Sequence, residues 1–119
     1  MTHYVVIALA SNHQQEKYLS EARQRLLQML SHCRFTEAVW TAPVNAALPD
    51  MYLNQLLYAQ TDMTLEQVTE ALKQTEILMG RTNEDRCQGI VRIDLDLMRY
   101  DDQRYHVKDW ERDYIKKLL

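Results

Sequence analysis

Residues 4–10 are apolar at odd and even positions alike, which predicts a central β-strand with both faces covered. Polar residues 11–15 follow, as at a strand-to-helix turn. Leu19, Ala22, Leu26, Met29, Leu30 and Cys33 then recur at spacings of three and four, so one apolar face predicts a helix over about 14–32. Alternation over 34–41 predicts a second strand. Residues 42–50 hold both prolines, Pro43 and Pro49, and predict a loop. Residues 51–61 alternate again, with Tyr52, Asn54, Leu56, Tyr58 and Gln60 on one face. Thr64-Leu65-Glu66-Gln67 fits a capping box, in which side chains at both ends of the first turn satisfy backbone donors reciprocally. Leu65, Val68, Leu72 and Met79 continue it as a helix over 65–79, with Gly80 at its C-terminal stop. The polar run 81–89 predicts a loop. Residues 91–100 show the cleanest alternation of all, and the apolar positions of 108–119 predict a tail that is helical at its end.

The order strand, helix, strand, strand, helix, strand consists of two split βαβ units. It predicts a single α+β domain over residues 1–119, a ferredoxin-like βαββαβ fold with a four-stranded antiparallel sheet and both helices on one face.

Composition narrows the function. The chain has 119 residues, a formal net charge of −3, 46% hydrophobic and 26% charged residues, all ordinary for a globular protein. It lacks the basic footprint of a nucleic-acid binder, and no apolar run approaches the ~20 residues of a membrane span. With only two glycines, Gly80 and Gly89, neither a P-loop nor a dinucleotide fingerprint is present. A bound nucleotide would have to be held by side chains and metal. Cys33 and Cys87 form no redox pair motif and read as free thiols in a reducing compartment. Without a signal-peptide pattern, a cytoplasmic location is expected.

The candidate chemistry lies in Val91-Arg92-Ile93-Asp94-Leu95-Asp96-Leu97. On a strand, Val91, Ile93, Leu95 and Leu97 face one side and Arg92, Asp94 and Asp96 the other, with the two Asp backbones about 6.6 Å apart. Aspartates are disfavoured in strands, and like charges on one face repel. Either a hard cation such as Mg²⁺ draws them together, or they line a solvated face with Arg92 neutralising them.

The segment Arg92-Ile93-Asp94-Leu95-Asp96-Leu97 resembles the Asp-x-Asp strand of the 6-hydroxymethyl-7,8-dihydropterin pyrophosphokinase family. Further pieces match in order: Ala10-Ser11-Asn12, Trp40-Thr41-Ala42-Pro43-Val44, Tyr52-Leu53-Asn54, Glu76 with Gly80-Arg81, His106, and Glu111-Arg112-Asp113-Tyr114. The resemblance spans almost the whole chain. It implies transfer of pyrophosphate from ATP to a reduced hydroxymethylpterin, an early step of folate synthesis, leaving AMP. It further implies that Asp94 and Asp96 hold two Mg²⁺ ions and that Arg112 contacts phosphates. His106, Glu76, Arg81 and Leu97 would line the nucleotide side. Asn54, Tyr52, Tyr114, Pro43 and Val44 would line the pterin side. Asn54 suits that role because its amide offers donor and acceptor together. Trp40 reads as core or rim.

At several positions the sequence departs from the family's pattern. Gln88 stands where the family has a pterin-covering Trp. Cys87, Val91 and Asn83 stand at arginine positions, with Arg86 and Arg92 one place away from two of them. The family's chains usually continue for several tens of residues past the position of Tyr114, so one side of the site is expected to be open to a second copy or a partner chain. Two other readings therefore stand beside the enzyme: a protein that binds ATP or pterin without efficient transfer, and an interaction module on the same scaffold.

Overall fold

The structure is a computed structural model and describes residues 1–42 and 51–118, the side chain of Arg86 excepted. Strand β1 (His3–Ser11) leads into helix α1 (Gln15–Met29), followed by β2 (Ser31–Phe35), β3 (Val39–Thr41) and β4 (Tyr52–Thr61). Helix α2 (Leu65–Leu78), a short α3 (Asn83–Cys87), β5 (Asp94–Tyr100) and β6 (Gln103–Arg104) come next. A 3₁₀ turn (Asp109–Glu111) and α4 (Asp113–Leu118) complete the described order.

The sheet has six strands in the order β2-β4-β1-β5-β6, with β3 also paired to β4, and the pairings are antiparallel. The antiparallel sheet is the expected one. The count of four is corrected to six for two reasons. The strand expected over 34–41 breaks at Thr36, whose hydroxyl accepts from Leu56 N (3.0 Å) and donates to Glu37 O (2.9 Å). In addition, the turn at Asp101 folds Gln103–Arg104 back onto β5.

The expected helices hold with small shifts. Leu30 is extended (φ −123°, ψ 160°) and ends α1 at Met29, because Ser31 already pairs with Gln60 of β4. Thr64 and Gln67 form both bonds of the capping box, at 3.2 and 2.9 Å. Gly80, at φ 99°, is the left-handed residue that stops α2. The expected loop 81–89 contains α3. Its first turn is capped by Thr82, whose hydroxyl accepts from Asp85 N at 3.1 Å.

The two faces of the sheet differ. Val5, Ile7 and Leu9 of β1, Leu57 of β4 and Leu95 of β5 pack against Leu19, Ala22 and Leu26 of α1 and Val68 and Leu72 of α2. On the opposite face Val6, Leu56 and Met98 pack against Trp110 and Ile115 of the tail. The tail covers only part of that face, and the remainder carries the smaller of two cavities of the candidate site.

Candidate functional site

β5 places the aspartate pair. Leu95 and Leu97 turn towards the helices and are 5% and 8% exposed, so Asp94 and Asp96 project from the other face. Register sets their neighbours: Asp94 lies opposite Ala10, Asp96 opposite Ala8, and Ala10 in turn opposite Asn54 of β4. Two alanines on the central strand keep the floor low and leave room above it. The strand begins at Asp94 rather than Val91, so the alternation does not extend back to Arg92.

A cavity of about 280 Å³ stands on this floor. Asp94 and Asp96 form one wall, Tyr52 and Asn54 of β4 another. Asp109, Arg112 and Tyr114 of the tail and Met98 close it. A second, larger cavity of about 500 Å³ opens on the α2 side. Thr69, Lys73 and Glu76 of α2 line it with Arg81, Leu97, Tyr105 and His106. Asp94 and Asp96 border both cavities.

Charge is concentrated at that border. Arg81 Nη1 lies 2.8 Å from Asp94 Oδ1 and 2.9 Å from Glu76 Oε2. Glu76 Oε2 also accepts from Leu95 N at 2.8 Å, which ties α2 to β5. Burial pushes the Glu76 pKa up, with the Leu95 bond and Arg81 opposing and Asp94 and Asp96 adding to the rise. Burial likewise raises the Asp96 carboxyl, and Asp94 raises it further. His106, with Nε2 3.9 Å from Asp96 Oδ1, acts in the opposite direction. The hydroxyls of Tyr52 and Tyr114 are raised too, chiefly by burial. The Arg112 guanidinium stacks over the Tyr114 ring, 4.7 Å from its centroid.

The site residues expected from the sequence therefore gather in two groups. Asn54, Tyr52, Arg112 and Tyr114 share the smaller cavity, and Glu76, Arg81, Leu97 and His106 the larger, with Asp94 and Asp96 in both. Pro43 and Val44 lie outside the described residues. Trp40, on β3, is 51% exposed and so is not part of the core.

Arg92 is a correction. It does not neutralise the aspartate pair. Its Nε lies 2.6 Å from Asp85 Oδ2, and its Nη1 donates to Tyr18 on α1 at 2.7 Å. That bond with Arg92 holds the Asp85 carboxyl below the usual range. The charge partner of Asp94 is Arg81.

Sequence reasoning also missed contributors. Asp109 reaches the smaller cavity from a 3₁₀ turn whose location depends on how the tail docks. Lys73 and Thr69 reach the larger cavity. They sit at i+4 spacing on α2, one and two turns before Glu76, a signal that helical periodicity carries. Asn12, 2% exposed, pins the approach to β5: its Nδ2 donates to Gly89 O (2.9 Å) and its Oδ1 accepts from Val91 N (2.6 Å).

An antiparallel six-stranded sheet with both long helices on one face, and an aspartate pair projecting from the other, defines an α+β domain. No curated protein matches the chain. The sequence model of the 7,8-dihydro-6-hydroxymethylpterin-pyrophosphokinase (HPPK) family matches residues 6–119, and the chain belongs to that family. Its family is thus one of pyrophosphokinases of folate biosynthesis. Among the described residues no helix is long and apolar enough to cross a membrane.

Proposed function

We propose that this chain transfers the pyrophosphoryl group of ATP to the hydroxymethyl oxygen of 6-hydroxymethyl-7,8-dihydropterin, releasing AMP. The observation that carries the reading is the pair of cavities meeting at Asp94 and Asp96. A transfer between two bound substrates needs two adjoining pockets with charge control at the boundary. The larger pocket, with Lys73 and Arg81, suits ATP. The smaller one, with Tyr52, Tyr114 and Asn54, suits a planar heterocycle.

In this reaction the hydroxymethyl oxygen bonds to the β-phosphorus. The bond from that phosphorus to the oxygen bridging to the α-phosphorus breaks, AMP leaves with that oxygen, and the hydroxyl proton passes to solvent. Arg112, at the wall of the smaller cavity beside the aspartates, is placed to offset negative charge on the group in transit. His106 stands beside Asp96, Nε2 3.9 Å from Asp96 Oδ1, on the side of the larger cavity.

The donor set fits Mg²⁺. That ion uses one or two carboxylates and completes its shell with phosphate oxygens and water. Among the described residues no three His, Cys, Asp or Glu side chains form a metal site unaided. Asp94 and Asp96 are the protein's contribution, and the rest of the shell arrives with the nucleotide. Two such ions would stabilise charge on the phosphate oxygens.

AMP release measured with ATP, Mg²⁺ and the reduced pterin tests the reading. AMP should form only when all three are present. AMP formed without pterin would show ATP hydrolysis instead. Calorimetry adds the second arm: Asp94→Asn with Asp96→Asn should abolish Mg²⁺-dependent ATP binding, and equal affinity would remove the pair from the site.

Binding without efficient transfer is favoured by one observation: Arg92 is engaged by Asp85 and Tyr18, on the α1 side. Under that second reading ATP and pterin bind and no AMP forms.

A further inference from the structure

Arg81 uses one nitrogen for two acids. Its Nη1 stands 2.8 Å from Asp94 Oδ1 and 2.9 Å from Glu76 Oε2. Glu76 has a further partner in Leu95 N, whereas the Asp94 oxygen facing Arg81 is also one that a hard cation would need. The Arg81 side chain is 37% exposed and lies at the mouth of the larger cavity, so it has solvent to move into. Arg92, by contrast, is fixed by three hydrogen bonds to Asp85 and Tyr18.

We infer that Arg81 is an internal counter-cation: without a bound cation its guanidinium neutralises Asp94 and Glu76, and a divalent cation arriving at Asp94 displaces it. The inference rests on the reading of Asp94 and Asp96 as cation ligands. It adds an order of events. Occupation of the aspartates frees a guanidinium beside the larger cavity, where the phosphates of a nucleotide would lie. One side chain then serves the ligand-free site as a substitute cation and the loaded site as an anion contact.

The test uses Mn²⁺ alone, without nucleotide, followed by water-proton relaxation. An ion pair with this degree of exposure shifts an equilibrium by about two- to fivefold. Arg81→Gln is therefore expected to bind Mn²⁺ about two- to fivefold more tightly than the parent chain. Arg81→Lys keeps the charge and should stay near the parent value. Arg99→Gln removes the same charge some 17 Å along β5 and should leave Mn²⁺ affinity unchanged. Arg81→Met, which keeps the aliphatic stem, repeats the measurement should the Gln variant not fold.

The inference is overturned by unchanged or weaker binding in Arg81→Gln, by equal tightening in Arg99→Gln or Arg81→Lys, or by no Mn²⁺ binding in any of them. Its failure is separable from that of the proposed reaction. Tighter Mn²⁺ binding by Arg81→Gln together with no AMP release by the parent would keep the counter-cation and discard the transfer. AMP release by the parent with no tightening would do the reverse.

Discussion

Asn54 has a structural duty at the edge of β4. It is 2% exposed, and its Nδ2 donates to Thr41 Oγ1 (2.8 Å), Val39 O (3.1 Å) and Tyr52 O (3.3 Å), so the amide nitrogen holds β3 against β4. Asn54→Ala leaves those acceptors unpaired and is expected to cost about 1–3 kcal/mol of stability, measured by urea unfolding. Tyr114→Ala separates binding from folding better, because Tyr114 is only half-buried at the cavity wall. It should weaken pterin binding by about tenfold, the sum of a lost aromatic face and lost apolar area, while stability changes less than in Asn54→Ala. Fluorescence titration of the pterin reads the first effect, and unchanged affinity would remove the tail from the site. At this scale the sequence was legible wherever a strand fixed the direction of a side chain. Alternation alone turned Asp94 and Asp96 away from Leu95 and Leu97. It misassigned Arg92 because that residue precedes the strand, where the period of two no longer holds. Arg81 lies outside the regular elements and Asp109 opens a separate 3₁₀ turn, so no spacing rule connects them to Asp94.

Elements were legible where local chemistry and apolar period agree. Thr64 and Gln67 mark the start of α2 in four residues, and the two capping bonds are present. Thr64→Ala should lower stability by about 0.5–2 kcal/mol, read as a fall in thermal midpoint with ligand affinity retained. The break in the second strand was not legible, because Thr36 interrupts it by a hydrogen bond to Leu56, twenty residues away in sequence. Nor was β6, which depends on the turn at Asp101. That residue adopts φ 52°, and its carboxylate accepts from Tyr4 N (2.9 Å) and contacts His3 Nδ1 (2.6 Å). The Tyr4 bond and then His3 hold the Asp101 pKa below the ordinary value. A carboxyl depressed in the folded state stabilises above its unfolded pKa of about 3.9, and the stabilisation fades as pH falls through the lower folded value. The stability gap between the parent and Asp101→Asn should therefore be full near neutral pH and shrink below about pH 4. A gap independent of pH in denaturant titrations would place the stabilisation elsewhere than in this charge.

The described residues form a sheet with two helices packed on one face and the tail on part of the other. α1 and α2 occupy the first face, and the amphipathic order of the chain made that half legible. The second face depends on the tail. Its apolar residues predicted a helix, and α4 is present, but nothing in their spacing specified where it lands. In the structure Trp110 and Ile115 sit on Val6, Leu56 and Met98. Met98 follows Asp94 and Asp96 in the alternation of β5 and so faces the tail side, and the register shift against β1 between Val6 and Ile7 comes after it, putting Tyr100 opposite Val5 on the helix face. Met98 thus meets the tail from the same face as the aspartates, and the docked tail brings Asp109, Arg112 and Tyr114 to the pair. Stability and site assembly are thus linked through one contact. Ile115 is fully buried, and Ile115→Ala should cost about 2–5 kcal/mol if the tail folds as part of the main core. If the tail is a separately undocking unit, global stability changes little, the amides of residues 110–118 lose exchange protection, and pterin affinity falls by the fraction of molecules left docked. Exchange measured residue by residue across the chain distinguishes these outcomes. The smaller cluster, five buried residues against seventeen on the helix face among the described residues, makes separate undocking the expected result. Substrate binding would then stabilise the tail in proportion to ligand concentration, and protection at residues 110–118 should rise with added pterin and ATP analogue while that of α1 stays constant. Equal gains in both would show that the tail and the core open together.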